Sequence, residues 1–256
     1  MDFSELTQKI SDLLGIKLNG YKPAQLKRRL EHLIYSSGFT SYQDYYQALK
    51  VDVNLQNAFM DKFTINVTEF FRNANIFEQL ENKILPDLLS RKKKLRIWSA
   101  ACSIGAEPYS IAIILNELTP EQDHYIDATD IDEKILNLAR QGSYKFDYLK
   151  NIPPHILNKY FKKNGDLFNI LPAIKKKVNF RKHDLLTDRY EKDYDLIMCR
   201  NVIIYFTKES QAHVYKGFWQ SLVPGGILFT GATECILNYR ELGFTSPSPW
   251  FYKKIV

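Results

Sequence analysis

Cysteine is scarce in this 256-residue sequence: Cys102, Cys199 and Cys235 are its only three, with no CxxC pair among them. No Cys/His cluster has metal-ligand spacing, so neither a disulfide frame nor a zinc site is expected; the set reads as reduced thiols. No stretch approaches the roughly 20 apolar residues that cross a bilayer. Met1 to Gly15 carries Asp2, Glu5 and Asp12 and has no unbroken apolar core, which excludes a signal peptide there. A soluble, cytoplasmic protein follows as the expectation, with no direct membrane insertion and any membrane role exerted through a partner. Internal repeats and low-complexity tracts are also missing. What is present is the balance of an ordinary folded domain, 45% hydrophobic and 25% charged residues. The net charge of +6 favours an acidic partner, whether nucleic acid, anionic lipid or an acidic protein surface.

Two blocks follow one another along the chain. In the first, Phe3, Leu6, Ile10, Leu13 and Leu14 recur at helical spacing, as do Leu26, Leu30, Leu33 and Ile34 after Pro23. Ser41 with Asp44 reads as a capping box opening a third helix, and a fourth is expected near Leu55 to Phe63. Such a bundle is small for independent stability. From Leu95 the pattern alternates: strands over Leu95–Ala101, Tyr125–Thr129, Tyr194–Cys199 and Gly226–Gly231, helices over Glu107–Leu118, Asp132–Gln141 and Lys208–Leu222. Alternation of this kind predicts a parallel, doubly wound sheet. Pro224-Gly225-Gly226 reads as a tight turn into the late strand. Tyr144 to Lys182 interrupts the alternation and reads as an inserted subdomain of two or three short strands, Val178–Phe180 among them. The expected fold class is α/β: a Rossmann-like doubly wound sheet with a small inserted β-subdomain, preceded by an all-α bundle. The boundaries are 1–72 for the helical domain, 73–94 for a connecting helix broken at Pro86, and 95–256 for the α/β domain with its insert at about 144–182.

In a doubly wound sheet, ligands lie at the carboxyl ends of the strands where strand order reverses. The first strand ends in Ala100-Ala101-Cys102-Ser103-Ile104-Gly105-Ala106-Glu107-Pro108, where Gly105 is the single glycine, so the dinucleotide fingerprint G-x-G-x-x-G is absent. A pyrophosphate demands several glycines for close backbone approach, whereas a phosphate-free cofactor does not. S-adenosylmethionine is such a cofactor. Pro108 near the helix start leaves neighbouring N–H groups free to face its carboxylate. Asp130 follows Gly105 by 25 positions, at the end of the second strand. There it can accept from both ribose hydroxyls, with helix capping as the alternative, a role better suited to Asp132. Asp184 could accept an adenine amino group with Leu185 against the ring, or could simply form an Asx turn. Cys199-Arg200-Asn201-Val202 would floor the pocket under the methyl group.

Four motifs together carry a family resemblance. Thr64–Arg72 (TINVTEFFR), Ala101–Ala112 (ACSIGAEPYSIA), Ala128–Asp132 and Cys199–Phe206 (CRNVIIYF) resemble, in order, the chemotaxis protein methyltransferases of the CheR family, of the Bacillus-like kind. The resemblance spans nearly the whole chain. It implies methyl transfer from S-adenosylmethionine, leaving S-adenosylhomocysteine, to glutamate side chains on the cytoplasmic domains of methyl-accepting chemoreceptors, with recruitment to membrane receptor arrays. By position it implies that Asn66, Thr68 and Arg72 reach the cofactor and that Glu107 meets its amino group. Asp130 would hold the ribose, and Asp184, Leu185, Asn201 and Val202 would line the adenine and sulfonium regions. Tyr205 would lie near the transferred methyl and share the catalytic role with Arg72. Where the family usually has Gly-Glu-Glu-Pro-Tyr-Ser, this chain has Gly105-Ala106-Glu107-Pro108-Tyr109-Ser110; where it often has histidine-serine-glutamate, this chain has Ala232-Thr233-Glu234, a region to which no role is assigned.

The implied reaction is in-line attack of a carboxylate on a sulfonium methyl. An exposed glutamate has a pKa of ~4.3 and is ionised at neutral pH, so no general base is needed. Catalysis then rests on alignment and exclusion of water. Arg72 could hold the carboxylate or orient the cofactor, an interdomain salt bridge being its structural alternative. Lys27-Arg28-Arg29 is the candidate docking patch for acidic receptor helices. Residues 158–182 hold eight Lys/Arg against one acid, Asp166; each charge run alone reads as a solvated face. The alternative function is a Rossmann methyltransferase acting on nucleic acid, which +6 would also suit. For base amines it would want an Asn/Asp-Pro-Pro-Tyr-type motif where this chain has Arg200-Asn201-Val202-Ile203, so no nucleic-acid partner is expected. Lys162–Leu167 (KKNGDL) has one glycine where some CheR proteins carry a Gly-x-Gly loop that captures a receptor's C-terminal pentapeptide, so no such tether is expected.

Overall fold

The computed structural model describes residues 1–64 and 66–255 and divides the chain into two compact units. One comprises Met1–Asn66 together with Asp184–Arg189 and Ile203–Val214; the other comprises Val67–His183, Tyr190–Val202 and Tyr215–Val256.

The first unit is built on α1 (Phe3–Leu14), α2 (Pro23–Ser36), α3 (Tyr42–Val51) and α4 (Val53–Phe63). Three starts are capped by side chains: Asp2 accepts from the Glu5 N–H, Ser41 from Gln43 and Asp44, and Asp52 from Asn54 and Leu55. Pro23 opens α2, where its missing N–H costs nothing. The helical apolar positions meet as a core of Leu6, Ile10, Leu30, Leu33, Tyr45, Leu49 and Phe59, all nearly inaccessible. The two later stretches pack on this bundle. Phe206 lies edge-on to Tyr21 at 5.0 Å, and Tyr21 to Phe63 at 4.7 Å. The Lys22 N–H donates to the Tyr205 carbonyl at 2.9 Å, and the Thr207 N–H to that of Gly20 at 2.9 Å. Gly20 lies close against Leu186: an added Cβ would stand 2.4 Å from its Cδ1 and force that side chain to shift.

The second unit opens with α5 (Ala74–Gln79), a π-turn over Leu80–Ile84 and α6 (Leu85–Arg91). The widened turn directly precedes Pro86, whose ring and lost N–H cannot be accommodated in regular helix. Next come β1 (Arg96–Ala100), α7 (Ala106–Leu118), β2 (Tyr125–Asp130), α8 (Glu133–Gln141), β3 (Ser143–Lys145), α9 (Pro154–Tyr160), β4 (Phe161–Asn164), β5 (Leu167–Ile170) and α10 (Pro172–Lys175). The unit ends with β6 (Val178–Lys182), β7 (Tyr194–Cys199), the last turns of α11 (Lys208–Ser221), β8 (Leu222–Thr230), β9 (Phe244–Ser248) and β10 (Phe251–Lys254).

The main sheet runs β6-β2-β1-β7-β8-β10-β9. Its first five strands are parallel and the last two antiparallel. β7 is buried at every residue and is apolar from Leu196 to Cys199, as a strand covered on both faces should be, while its one charge, Asp195, is met by Lys92 and the Arg96 N–H. α7 is buried from Ala106 to Leu115 for the same reason. Order reverses between β1 and β7, since the chain builds β2 and β6 on one side before crossing to β7 and β8.

Three sequence expectations are corrected. Val178–Phe180 belongs to β6, the edge of the main sheet, paired with β2 from Ile126↔Val178 to Asp130↔Lys182. The insert's own sheet is β3-β5-β4, antiparallel. Pro224-Gly225-Gly226 lies within β8, where Tyr194↔Leu222 gives way to Leu196↔Ile227, so two steps along β7 face five along β8. A proline that cannot donate to the ladder is absorbed in this bulge. The sheet is mixed, because the closing hairpin β9–β10 pairs antiparallel to β8. Among the described residues no helix is long and apolar enough to cross a membrane.

Candidate active site

The switch point of the second unit carries the first group of expected site residues. The turn after β1 is sharply wound: Ala101, Ser103 and Gly105 take φ of 61°, 52° and 84°. Two non-glycine residues in the left-handed region cost roughly 1–3 kcal/mol each, strain of a kind that concentrates at ligand sites. Gly105 has a further constraint, since a Cβ there would lie 3.0 Å from Ala139 Cβ and 3.1 Å from Phe180 Cζ. The turn is held by the end of β2. Cys102 N–H donates to the Thr129 carbonyl at 2.8 Å, and Ser103 N–H to Asp130 Oδ2 at 2.8 Å. Asp130 Oδ1 accepts from the Asp132 N–H at 3.1 Å.

Asp132 itself caps α8, accepting from Lys134 and Ile135, so the capping role does not fall to Asp130. With the Ser103, Ile131 and Asp132 N–H groups on it, the Asp130 carboxylate still has acceptor capacity for a ligand donor. Burial raises its pKa to about 6, with the backbone N–H bonds holding it from rising further.

Glu107, in the first turn of α7, is buried. Its Oε1 accepts from Ser99 Oγ at 2.7 Å and its Oε2 faces Arg200 Nη1 at 3.4 Å. Burial is the larger influence and raises the carboxyl pKa, against the pull of Arg200. Arg200, at the end of β7, packs its guanidinium over Phe229 and Phe77 at 4.8 and 5.3 Å. Its Nη2 donates to the Arg72 carbonyl at 2.9 Å and to Asn73 Oδ1 at 2.8 Å. The Arg72 segment is itself strained, with Phe71 and Asn73 at φ of 50° and 64°. Phe71 N–H is secured by Ser110 Oγ at 3.1 Å. Arg72 Nη1 donates to the Val67 carbonyl at 2.7 Å, and among the described residues Arg72 forms no ion pair. Thr68 lies on the same segment, partly exposed.

Asn201 follows at φ 61°, its Oδ1 buried without a hydrogen-bond partner among the described residues. The backbone N–H groups of Asn201 and Val202 donate to Glu234, at 2.6 and 2.9 Å. Glu234 thus shapes the turn after β7 although the sequence assigns it no role, and Arg200, expected only in the pocket floor, also ties Glu107 to the Arg72 segment. Their signal was positional: both stand at carboxyl ends of adjacent strands, β7 and β8.

The helical unit carries the remaining candidates. Asp184 Oδ1 accepts from the Leu186 N–H at 2.8 Å, closing the anticipated Asx turn, while its Oδ2 is buried without a partner among the described residues. Leu185 is buried beside it in sequence. Asn66 Nδ2 donates to Thr64 Oγ1 at 2.9 Å. Tyr205 closes a short 3-10 turn, Ile203–Tyr205. In α2, Lys27 and Arg28 are exposed and Lys27 lies 3.9 Å from Glu31. Arg29 differs, being partly buried and donating to the Lys62 carbonyl near the end of α4. Its guanidinium also feels the Tyr205 and Tyr21 phenols, which brings a docking candidate to a catalytic one.

Comparison with known proteins decides what this arrangement is. A profile described as CheR methyltransferase, SAM binding domain, matches residues 66–250, and one described as CheR methyltransferase, all-alpha domain, matches residues 1–64. The chain belongs to the CheR methyltransferase family. It is 41% identical to the chemotaxis protein methyltransferase of Listeria monocytogenes, over 99% of this chain and 97% of that one. It is 34% identical to that of Borreliella burgdorferi, over 99% and 94%, and 33% identical to chemotaxis protein methyltransferase 1 of Pseudomonas aeruginosa, over 94% and 92%.

CheR membership makes the protein an S-adenosylmethionine-dependent methyltransferase, and the residues present fit that cofactor. The turn after β1 has one glycine and no phosphate cradle. Asp130 ends β2 with acceptor capacity to spare, and buried acceptors without partners, Asn201 Oδ1 and Asp184 Oδ2, await donors in their respective units. Among the described residues no group of three or more His, Cys, Asp or Glu is placed to hold a metal ion.

Proposed function

We propose that this CheR protein esterifies glutamate side chains on the cytoplasmic domains of methyl-accepting chemoreceptors, setting their adaptation, and that it works in the cytoplasm at membrane receptor arrays. The observation that carries the reading is that both CheR domains match end to end, against relatives all named for chemotaxis. When bound, S-adenosylmethionine supplies an electrophilic methyl on a sulfonium centre. The protein's own task is to hold the reacting groups in line and keep water away.

In this reading Asp130 accepts from the ribose hydroxyls, and Glu107 takes the amino group with the acceptor capacity left by Ser99 and Arg200. Asn66, Thr68, Asp184, Leu185, Asn201 and Val202 line the remainder of the cofactor. Arg72 and Tyr205 serve the methyl-transfer end. For Arg72 the support is its lack of a carboxylate partner among the described residues, which leaves its charge available to an incoming substrate carboxylate. No general base is called for, because a receptor glutamate is already ionised at neutral pH.

Lys27 and Arg28 form the docking patch on α2, exposed on a protein of net charge +6. Capture of a receptor C-terminal pentapeptide is not part of the reading: the turn between β4 and β5 has a single glycine, Gly165 at φ 59°. The test presents labelled S-adenosylmethionine with receptor-bearing membranes and nucleic acid in one reaction. Label is expected on the receptor band alone; label on nucleic acid would replace this reading with its rival.

A further inference from the structure

Glu234 sits four residues beyond Thr230, the end of β8, in a stretch with no role in the proposed function. It is 4% exposed, and its carboxylate is spent on backbone N–H groups. Oε2 accepts from Asn201 at 2.6 Å and from Gly231 at 2.8 Å; Oε1 accepts from Val202 at 2.9 Å. A carboxylate gathering three amides forms strong, charge-assisted bonds that fix the loop they come from. That loop gains from fixing, because Asn201 stands at φ 61°, the left-handed region, which asparagine enters more readily than other residues with a Cβ but still at a cost relative to the right-handed one. Nor can the partner strand move away to relax it. A Cβ on Gly231 would lie 2.5 Å from Glu234 Oε2 and 2.9 Å from the Asn201 nitrogen, so the two loops touch with only glycine's room between them. The consequence appears at the side chain. Asn201 Oδ1 is buried with no hydrogen-bond partner among the described residues, an arrangement that costs free energy unless a ligand of complementary polarity answers it.

We propose that Glu234 is a positioning residue that holds Asn201 in its strained conformation so that the Asn201 side-chain oxygen discriminates the positively charged sulfonium cofactor from its neutral thioether product. The inference rests on the proposed placement of Asn201 at the sulfonium region. A carbonyl dipole presented in a dry site interacts more strongly with a cationic centre and its polarised C–H groups than with a thioether. The Glu234 carboxylate does not touch the cofactor; it acts through the 201–202 backbone.

The experiment is titration calorimetry of S-adenosylmethionine and S-adenosylhomocysteine against the native protein, Glu234→Gln, Asn201→Ala and the double variant, each confirmed folded by its thermal transition. In Glu234→Gln one oxygen is replaced by an NH2 group that opposes a backbone N–H. Glu234→Asp, with a shorter reach, serves if that variant does not fold. The expected result is a Kd for S-adenosylmethionine raised ~10-fold in Glu234→Gln, with S-adenosylhomocysteine changed less than ~3-fold, the scale of one charge-directed hydrogen bond. Asn201→Ala should show the same bias, and adding Glu234→Gln to it should change little further, since residues acting through one another are not additive. A purely structural Glu234 would weaken both ligands equally and add its effect to that of Asn201→Ala; that outcome overturns the inference. Asn201→Ala with unchanged affinity for both ligands would instead overturn the placement of Asn201 in the site.

Discussion

Asp130 is the residue whose environment makes the sharpest quantitative statement. Its carboxyl titrates near 6 because burial penalises the charge more than the Asp132 and Ser103 N–H groups reward it. Ribose hydroxyls donate most strongly to the ionised form, so cofactor binding should draw protons off Asp130. The affinity for S-adenosylmethionine should therefore weaken as pH falls through 6, by about 10-fold at pH 5, one unit below the pKa. In the ligand-free protein the sign is opposite. The folded state keeps the proton up to pH ~6 while the unfolded chain loses it near 3.8, so stability falls as pH rises across that window. Calorimetric titrations and thermal melts across pH 4.5–7.5 would check both, and a flat binding profile would remove the ionisation from the account. Replacing the group, Asp130→Ala, should cost about 1–3 kcal/mol of cofactor binding, the scale of charge-assisted hydrogen bonds, with the fold retained. Unchanged affinity by calorimetry would take Asp130 out of the site.

At the scale of elements, α2 shows how structure refines a charge run. Lys27 and Arg28 are exposed, but Arg29 ties α2 to the Lys62 carbonyl near the end of α4. Reversing Lys27 and Arg28 to Glu should raise the KM for receptor while leaving cofactor affinity intact, more clearly at low salt, where screening is weakest. Adding Arg29→Glu should also lower the melting temperature, because it removes the bond that ties α2 to the Lys62 carbonyl and places an anion at a partly buried position beside that carbonyl. Receptor methylation unaffected by the double reversal at low salt would move docking elsewhere.

The same elements mark how far sequence sufficed. Helices and parallel strands with strong periodicity or continuous apolar runs, such as α1 and β7, were legible, as were the caps at Ser41 and Asp132. β6 was misplaced because Val178-Asn179-Phe180 alternates apolar and polar like a surface strand, and as an edge strand of the main sheet it is fully buried only at Val178. β9 and β10 escaped because segments of five and four residues, the first broken by Pro247, carry little periodicity. Glu234 went unassigned, and the bonds that Arg200 makes beyond its expected place in the pocket floor went unseen, because their partners, Glu107, Arg72 and the 201–202 amides, are distant in sequence and meet only in the fold.

At the scale of the whole molecule, the proposal makes receptor docking an affair of exposed charge rather than of a captured tail. Full-length receptor and receptor lacking its flexible C-terminus should be methylated at equal initial rates, and a large loss on removing the tail would show a tether. Salt should slow both alike, as a surface attraction between a protein of net charge +6 and acidic receptor helices requires. The central claim concerns the bond that is formed. Receptor methylated with labelled S-adenosylmethionine should release its label as volatile methanol on mild alkali, and peptide mapping should find the methyl groups on glutamate side chains. Label that resists alkali, or that maps to lysine, arginine or nucleic acid, would contradict the assignment of this CheR protein as a receptor glutamate methyltransferase.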